Sequence, residues 1–380
     1  MNSSNCQFFV TCAKGTEGAL RRELVALRIH GPRGATGGVS FAGNFMDGMK
    51  VCLHSRVAMR VLLEVAAFQA SDADQLYAQT RDVDWTDFVG RDMTIAVHAT
   101  TQDNPNLRHS GFSALKVKDA IVDMLRDRNG RRPDVRVDDP DVSVVLHVRG
   151  SEARLFVDLA GEPLHRRGYR VAMVEAPLKE SLAAAVLSLG GVAAARPFID
   201  PMAGSGTLAI EHALMARNIA PGLRRRFSFE RWSTPEQRKI WETLLKSARE
   251  SIRSSAPCPI LARDIDKTAI AAARKNAEAA GVLPDITFEV ADIATLTRRD
   301  PPGTLCTNPP YGERLEPAAS GADVERLYAI MARAFDAMAG WRAVCLSGNP
   351  VFAKILKRRP TISHRLYNGP IETRLLVFEL

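Results

Sequence analysis

The amino-acid sequence predicts an α/β protein: a parallel, doubly wound sheet in the carboxy-terminal part, preceded by an α+β region. Two observations carry this. From residue 167 onward, apolar strand-like runs alternate with amphipathic helix-like ones (FIDPM, TLAIEHALMAR, PILARDID, TAIAAARKNAEAAG, ITFEVAD, TLCTNPP, RAVCLSG), the pattern of parallel strands joined by crossover helices. With 46% hydrophobic and 25% charged residues in 380, the chain is long and apolar enough for more than one core.

Taken in order, residues 1–70 mix strand-like runs (QFFVTCA, GGVSFAG, MRVLLEVAAF) with helix-like ones (EGALRRELVAL, MDGMKVCLHSR), separated by glycine-rich breaks, and read as a small α+β unit. Residues 71–166 follow with a helical stretch, the strand TIAVHATT, a long helix from about Ser110 to Arg128, and two strands, VSVVLHV and ARLFVDLAG. These two are expected to form a hairpin turning at Arg149-Gly150-Ser151-Glu152. Residues 167–380 carry the alternating pattern, interrupted from about Asn218 to Pro257 by an arginine- and aromatic-rich insertion.

No apolar run reaches the roughly 18 to 20 residues that span a bilayer, and the start MNSSNCQFFVTCAKG has no secretory signal pattern. The expected compartment is the cytoplasm, with no membrane partner. Six cysteines without a CxxC pair read as reduced, buried thiols. A formal charge of +8 suits a polyanionic partner. Eight scattered histidines lack any compact ligand spacing, so no metal is expected.

Four motifs carry chemistry. In FIDPMAGSGTLAIEHA, residues 198–213, an apolar strand ends in Asp200 and a loop with Gly204 and Gly206 opens an amphipathic helix, permitting close backbone approach by a ligand. The loop alone also fits the GxGxxA fingerprint of nicotinamide cofactors. The next strand-terminal acid, Asp264, lies 58 positions beyond Gly206 (264 − 206), against the roughly 20 that fingerprint expects. In LARDID, Asp264 is placed to accept ribose hydroxyls, while Asp266 is a helix cap. In FEVADIATL, Asp292 reads either as an acceptor for an adenine amine or as a cap.

The fourth motif, GTLCTNPPYGERL, sets Asn308, Pro309, Pro310 and Tyr311 just past a strand. An exocyclic amine on a base is a poor nucleophile because its lone pair is delocalised into the ring. The Asn308 amide oxygen and the Pro309 carbonyl, held by two prolines that restrict the backbone, are acceptors that orient such an amine. Tyr311 offers a stacking face for an extruded base.

This order resembles class I S-adenosylmethionine-dependent methyltransferases, and NPPY after the fourth strand looks like their amino-methylating branch. With LHRRGYR, APLKESLAAAVL and DPMAGSGTLAIEHALMARNIAPG, the chain resembles RlmL-type and YpsC-like 23S ribosomal RNA guanine-N2 methyltransferases over nearly its whole length. The resemblance implies a ferredoxin-like segment at 1–70, a THUMP RNA-binding domain at 71–166 and a Rossmann-like methyltransferase domain at 167–380. It implies S-adenosylmethionine as cofactor, S-adenosylhomocysteine as product, and 23S rRNA or a large-subunit assembly intermediate as partner. Around the cofactor it would place Lys179, Glu180, Asp200, Pro201, Ala203, Gly204, Ser205, Gly206, Thr207, Asp264, Ile265, Asp292, Ile293 and Asn308. One activity is expected, since the second methyltransferase domain of fused members is not in this sequence. Glu313 is available as a proton acceptor.

For RNA, Arg166, Arg167, Tyr169 and Arg170 are the first candidates, ahead of Arg131-Arg132, Arg224 to Arg226 and Lys357 to Arg359. Phe227, Phe229 and Trp232 read either as stacking platforms for bases or as an anchor for the insertion. Alternatives to 23S rRNA are methylation of tRNA guanine-N2 or of adenine-N6 in nucleic acid, and a noncatalytic RNA-binding assembly factor.

Overall fold

A computed structural model describes residues 5–173, 177–311 and 321–380. The chain divides into two compact units. One comprises Met1–Thr11, Arg21–Leu164 and Arg225–Lys246; the other comprises Cys12–Leu20, His165–Arg224 and Ser247–Leu380. None of the described helices is long and apolar enough to cross a membrane.

Up to residue 158 the elements are β1 (Cys6–Thr11), α1 (Glu17–Ala26), β2 (Arg33–Ala35), β3 (Gly38–Gly43), α2 (Phe45–His54), β4 (Arg60–Gln69), α3 (Ala73–Arg81), β5 (Thr94–Gln102), α4 (Ser110–Asn129), β6 (Asp134–Val135), β7 (Val142–Arg149) and β8 (Glu152–Asp158). Eight strands form one sheet in the order β2-β3-β1-β4-β8-β7-β5-β6. The sequence divides this region near residue 70, yet β4 pairs with β1 on one side and β8 on the other, so a single sheet runs through both parts. The expected hairpin joins β7 to β8: Arg149 pairs with Glu152, and Gly150 takes φ +57° in the tight turn. Val142, Val144, Leu146 and Val148 alternate along β7 into the core, the period-two burial of a sheet with one covered face.

The remaining elements are α5 (Glu180–Leu189), β9 (Phe198–Asp200), α6 (Thr207–Ala216), α7 (Phe229–Trp232), α8 (Pro235–Glu250), β10 (Ile260–Asp264), α9 (Lys267–Ala280), β11 (Ile286–Val290), β12 (Thr304–Thr307), α10 (Gly321–Asp336), β13 (Arg342–Ser347), α11 (Phe352–Ile355), β14 (Ile362–Asn368) and β15 (Ile371–Glu379). Seven strands form the second sheet in the order β11-β10-β9-β12-β13-β15-β14. The first five are parallel, and β15 and β14 complete one edge antiparallel. The sheet is covered on both faces, as the apolar runs imply. Along β9 and β13, Ile199 and Cys345 join a core with Tyr328, Met331 and Phe335 of α10. Their neighbours face the other way, Phe198 stacking on His212 of α6 and Val344 lying against Gly190 at the end of α5. The chain reverses direction across the sheet between β9 and β12, and ligands bind beyond the carboxyl ends of strands at such a switch point.

The insertion's aromatic set belongs to the first unit. Trp232 lies edge-on to Phe45 and Phe88, and Phe229 packs on Phe45, Phe227 and Trp241. Arg225 donates to the carbonyls of Ala160, Glu162 and Pro163, and Arg231 pairs with Asp139 and Asp141. Of the two readings of Phe227, Phe229 and Trp232, the anchor is the one the packing supports: Phe227 and Phe229 are buried and have no face for a base.

Candidate active site

At the carboxyl end of the seven-stranded sheet lies a cavity of about 310 Å³. Four segments line it: Asp200, Met202 to Ser205, Thr207 and Leu208 after β9; Asp264 at the end of β10; Asn308 to Tyr311 after β12; and Pro177 with Leu178 ahead of α5. The structure therefore brings together Asp200, Ala203, Gly204, Ser205, Thr207, Asp264 and the whole NPPY tetrapeptide.

The glycine loop is tied to β10. Gly204, at φ +52°, donates its N–H to Asp264 Oδ2 at 2.8 Å, and Asp266 donates to Oδ1 at 3.0 Å. A carboxylate has about four acceptor positions, so Asp264 is oriented by the backbone while keeping capacity for hydroxyl donors. Asp266 accepts from Thr268 N–H and caps α9, as its position indicates. Asp200 is buried, and burial, with the Asp264 charge adding to it, holds its carboxyl well above the usual carboxylate range.

Gly206 has a different job from the one its motif suggests. It starts α6 at φ +83°, and a Cβ there would sit 3.0 Å from the Ala273 Cβ. The glycine lets α6 pack closely on α9, and it does not line the cavity.

The NPPY loop is braced by residues that the sequence reading passed over. Tyr328 of α10 donates its hydroxyl to the Pro310 carbonyl at 2.7 Å, and Asn349 Nδ2 donates to the Tyr311 carbonyl at 3.2 Å. Tyr311 is buried, with its ring against Gly348: a Cβ on Gly348 would lie 2.7 Å from Tyr311 Cδ2. Gly348-Asn349-Pro350 directly follows β13, and this turn signal at a strand's carboxyl end is what could have found them. Tyr311 donates its hydroxyl to Asn308 Oδ1 at 2.5 Å. A carbonyl oxygen accepts two hydrogen bonds, so this contact aims Asn308 and leaves it one further lone pair.

Behind the glycine loop, the segment after His165 is turned inward, which corrects its reading as an RNA contact. Arg167 and Tyr169 are buried: Arg167 Nε pairs with Glu211 at 2.8 Å, and the Tyr169 hydroxyl donates to the same carboxylate at 2.9 Å. Arg170 distributes its guanidinium among four acceptors. Nε meets Glu180 at 3.0 Å, Nη1 meets Ser205 Oγ at 3.2 Å, and Nη2 meets the Leu178 carbonyl at 2.9 Å and Thr207 Oγ1 at 3.2 Å. Arg166 alone of the four is exposed. Asn276 of α9 completes the fastening: its Oδ1 accepts from Val171 and Ala172 N–H, and its Nδ2 donates to the carbonyls of Ala172 and Ser205.

Other expected residues fall elsewhere. Glu180 is buried beneath Arg170 and Lys179 is exposed, neither lining the cavity; Pro201 is buried beside it. The Ile293 side chain packs in the α10 core with Leu296 and Val324 and does not line the cavity. Asp292 is exposed and accepts from Ala294 N–H at 2.8 Å as a cap, while Ile265 stands 70% exposed beside Asp264. Among the other basic clusters, Arg131 pairs with Asp92, Arg132 with Asp123, Arg224 with the Ala279 carbonyl, and Arg358 with Asp336. Glu313 lies outside the described residues.

Comparison with known proteins gives three domain matches: RMKL-like methyltransferase domain over residues 167–376, THUMP domain over 70–158 and RlmL ferredoxin-like domain over 7–62. The ribosomal RNA large subunit methyltransferase K/L of Syntrophotalea carbinolica is 40% identical over 98% of this chain and 53% of its own length. The chain thus spans about half the length of the curated relatives it matches. SMU.472, described as a putative methyltransferase complexed with SAH, superposes with a TM-score of 0.90 at 28% identity, covering 99% of this chain and 98% of that one. A protein from Listeria monocytogenes str. 4b F2365, described as a predicted N6-adenine-specific DNA methylase, superposes at 0.87 with 31% identity over 98% and 96% of the two chains. The chain belongs to the RMKL-like methyltransferase domain family, with RlmL ferredoxin-like and THUMP regions ahead of that domain.

Proposed function

We propose that this chain binds S-adenosylmethionine in the cavity and methylates the exocyclic N2 amine of a guanine in 23S ribosomal RNA, in the cytoplasm, on free RNA or on a large-subunit assembly intermediate. The observation that carries the reading is the meeting, in one cavity, of the glycine loop, Asp264 and the NPPY loop. The volume of about 310 Å³ lies within the range of small-molecule sites. The relatives' descriptions, ribosomal RNA methylation in one and bound SAH in another, support the same assignment.

The residues fit the cofactor. The Gly204 backbone with Ser205 and Thr207 suits its amino-acid end, and Asp264 suits its ribose hydroxyls. Bound there, it supplies an electrophilic methyl group on a sulfonium. The chain's own contribution is orientation. Asn308 Oδ1 and the Pro309 carbonyl accept from the target amine and direct its lone pair at the methyl carbon, and the braced loop holds them there without reorganisation. Transfer would exchange the sulfonium S–C bond for the new N–C bond, with the amine's extra proton released to water. The arrangement asks for neither a metal nor a covalent intermediate. An adenine-N6 amine would be oriented by the same acceptors, and the Listeria protein's description keeps that base as the second reading.

The test is tritium transfer from labelled S-adenosylmethionine to protein-free 23S rRNA from a strain lacking the gene, followed by nucleoside mass spectrometry. Label in N2-methylguanosine supports the assignment, and label in N6-methyladenosine moves the target base. Asn308→Ala should keep cofactor affinity while turnover falls by about 2–4 kcal/mol in barrier, the magnitude seen when a preorganised polar contact is lost. Near-normal turnover in that variant rejects the acceptor role.

A further inference from the structure

The second unit also carries a basic cluster that the proposed reaction leaves unused. β14 and β15 form the antiparallel hairpin at one edge of the seven-stranded sheet, and their register sets Arg365 directly opposite Arg374. Both are exposed. Directly opposed residues share a face with their Cβ atoms about 5 Å apart, and like charges so placed repel and destabilise the pair. Glu372 reaches Arg365 Nε at 3.3 Å, with both side chains about half exposed or more. Among the described residues none forms an ion pair with Arg374. A third cation joins from the chain's start: Lys14 Nζ stands 4.5 Å over the ring of Tyr367, also on β14. Its neighbour Gly15, at φ +90°, packs so tightly on the strand that a Cβ there would sit 2.4 Å from the Arg365 carbonyl oxygen. Three cations, the Glu372 carboxylate and a half-buried aromatic ring therefore share this end of the hairpin, while Glu379 at the far end of β15 is paired with Arg342.

Position gives the cluster meaning. Arg374 is in register with Ser347, the last residue of β13. The next residue, Gly348, is the one whose Cβ would collide with Tyr311 on one side and lie 3.2 Å from Ile371 Cγ2 of β15 on the other. The opposed arginines thus stand at the same end of the sheet as the NPPY loop, separated from it by Gly348 and Asn349.

We propose that this hairpin edge is a docking surface for the RNA backbone, with Arg365 and Arg374 receiving adjacent phosphates of the strand whose base enters the cavity. Phosphates between the two guanidiniums convert their repulsion into attraction, and each one neutralised releases counterions. The inference rests on the proposed function for RNA as the partner. The hairpin retains uncompensated positive charge that costs stability in the free protein and favours a polyanion.

The test uses the full chain and protein-free 23S rRNA transcribed in vitro, in filter-binding titrations from 50 to 300 mM KCl. Wild type is compared with Arg365→Gln/Arg374→Gln and with a control, Arg298→Gln/Arg299→Gln, that removes the same charge from exposed residues elsewhere. The hairpin variant should bind about tenfold more weakly at 150 mM salt, and its log–log salt slope should flatten by about 1.5, the loss of two phosphate contacts. Its melting temperature should equal or exceed that of wild type, and S-adenosylhomocysteine titration establishes that the second unit is folded. The control should shift affinity less than twofold. Equal weakening in both variants, or none in the hairpin variant, overturns the docking surface while leaving the methyltransferase reading intact. Absence of RNA binding by the wild type alongside intact S-adenosylhomocysteine binding overturns both the RNA assignment and this surface.

Discussion

The loop after β12 and the segment His165–Arg170 hold two walls of one cavity by opposite means. The first lines the cavity and is clamped from behind by neutral groups: the Tyr328 hydroxyl, the Asn349 amide and the bare backbone of Gly348. The second spends its charges inside the protein, Arg167 on Glu211 and Arg170 on Glu180, Ser205, Thr207 and Leu178. A neutral clamp brings no charge to the NPPY wall, which suits an uncharged amine. A charged clamp is stiff but fails badly when one partner is removed, because the remaining ion has lost its water. The two walls should therefore respond differently to substitution.

The largest effect is expected at the charged clamp. Glu211→Ala leaves Arg167 and the Tyr169 hydroxyl without their shared acceptor in a site with almost no solvent. It should lower stability by about 3–5 kcal/mol in urea unfolding; a loss below about 1 kcal/mol would show that the segment is held by its backbone instead. Next comes the neutral clamp. Gly348→Ala forces the Tyr311 ring away from a contact it cannot keep and loosens its hold on Asn308. Turnover should fall about 10- to 100-fold, or about 1.4–2.7 kcal/mol, with S-adenosylhomocysteine affinity nearly unchanged; an equal loss in both would mean the two walls are not separable. Arg170→Lys keeps the charge but not the planar fork that reaches four acceptors. It should weaken S-adenosylhomocysteine binding about tenfold with little change in turnover at saturation, the reverse of the Gly348 signature.

The difference between the walls also explains which parts of the site were legible in the sequence. Asp200, Gly204, Asp264 and Asn308 to Tyr311 all sit at the carboxyl ends of strands, where hydrophobic periodicity locates the strand and topology locates the ligand. The doubly wound sheet was legible for the same reason. The segment His165–Arg170 has no periodicity, and arginine with tyrosine reads as an RNA surface until the partner Glu211, 44 positions beyond Arg167 (211 − 167), is seen in space. The packing role of Gly206 has no local signal either, since Ala273, which a Cβ there would meet, is 67 positions away (273 − 206). Ile293 is expected beside the cofactor from its position after Asp292, and its apolar side chain is recruited by the core beside α10. The anchoring of Phe229 and Trp232 onto Phe45 and Phe88 joins residues more than 140 positions apart, beyond any local pattern.

The prediction with the smallest effect at neutral pH probes α6, the helix that carries Glu211 of the charged clamp. His212 follows Glu211 on α6, stacks on Phe198 at 4.2 Å between ring centroids, and is pulled by burial from 6.5 down to about 4. Its Nδ1 is buried and has no hydrogen-bond partner among the described residues, so the ring serves as an apolar plate. The folded state excludes the proton that the unfolded chain accepts near pH 6.5. Stability from this group is thus complete above that pH and falls as pH drops from 6.5 towards 4, at about 1.4 kcal/mol per unit, with about 1 kcal/mol already lost at pH 6. His212→Phe keeps the stacked plate and removes the titration. Its unfolding free energy should match or exceed that of wild type at pH 7.5 and decline less steeply between pH 6.5 and 4. The Gly348→Ala variant, altered only at the neutral clamp, should retain the wild-type acid slope. Parallel slopes in His212→Phe and wild type would mean that the acid sensitivity lies in groups other than His212, and would reject the buried neutral ring as its source.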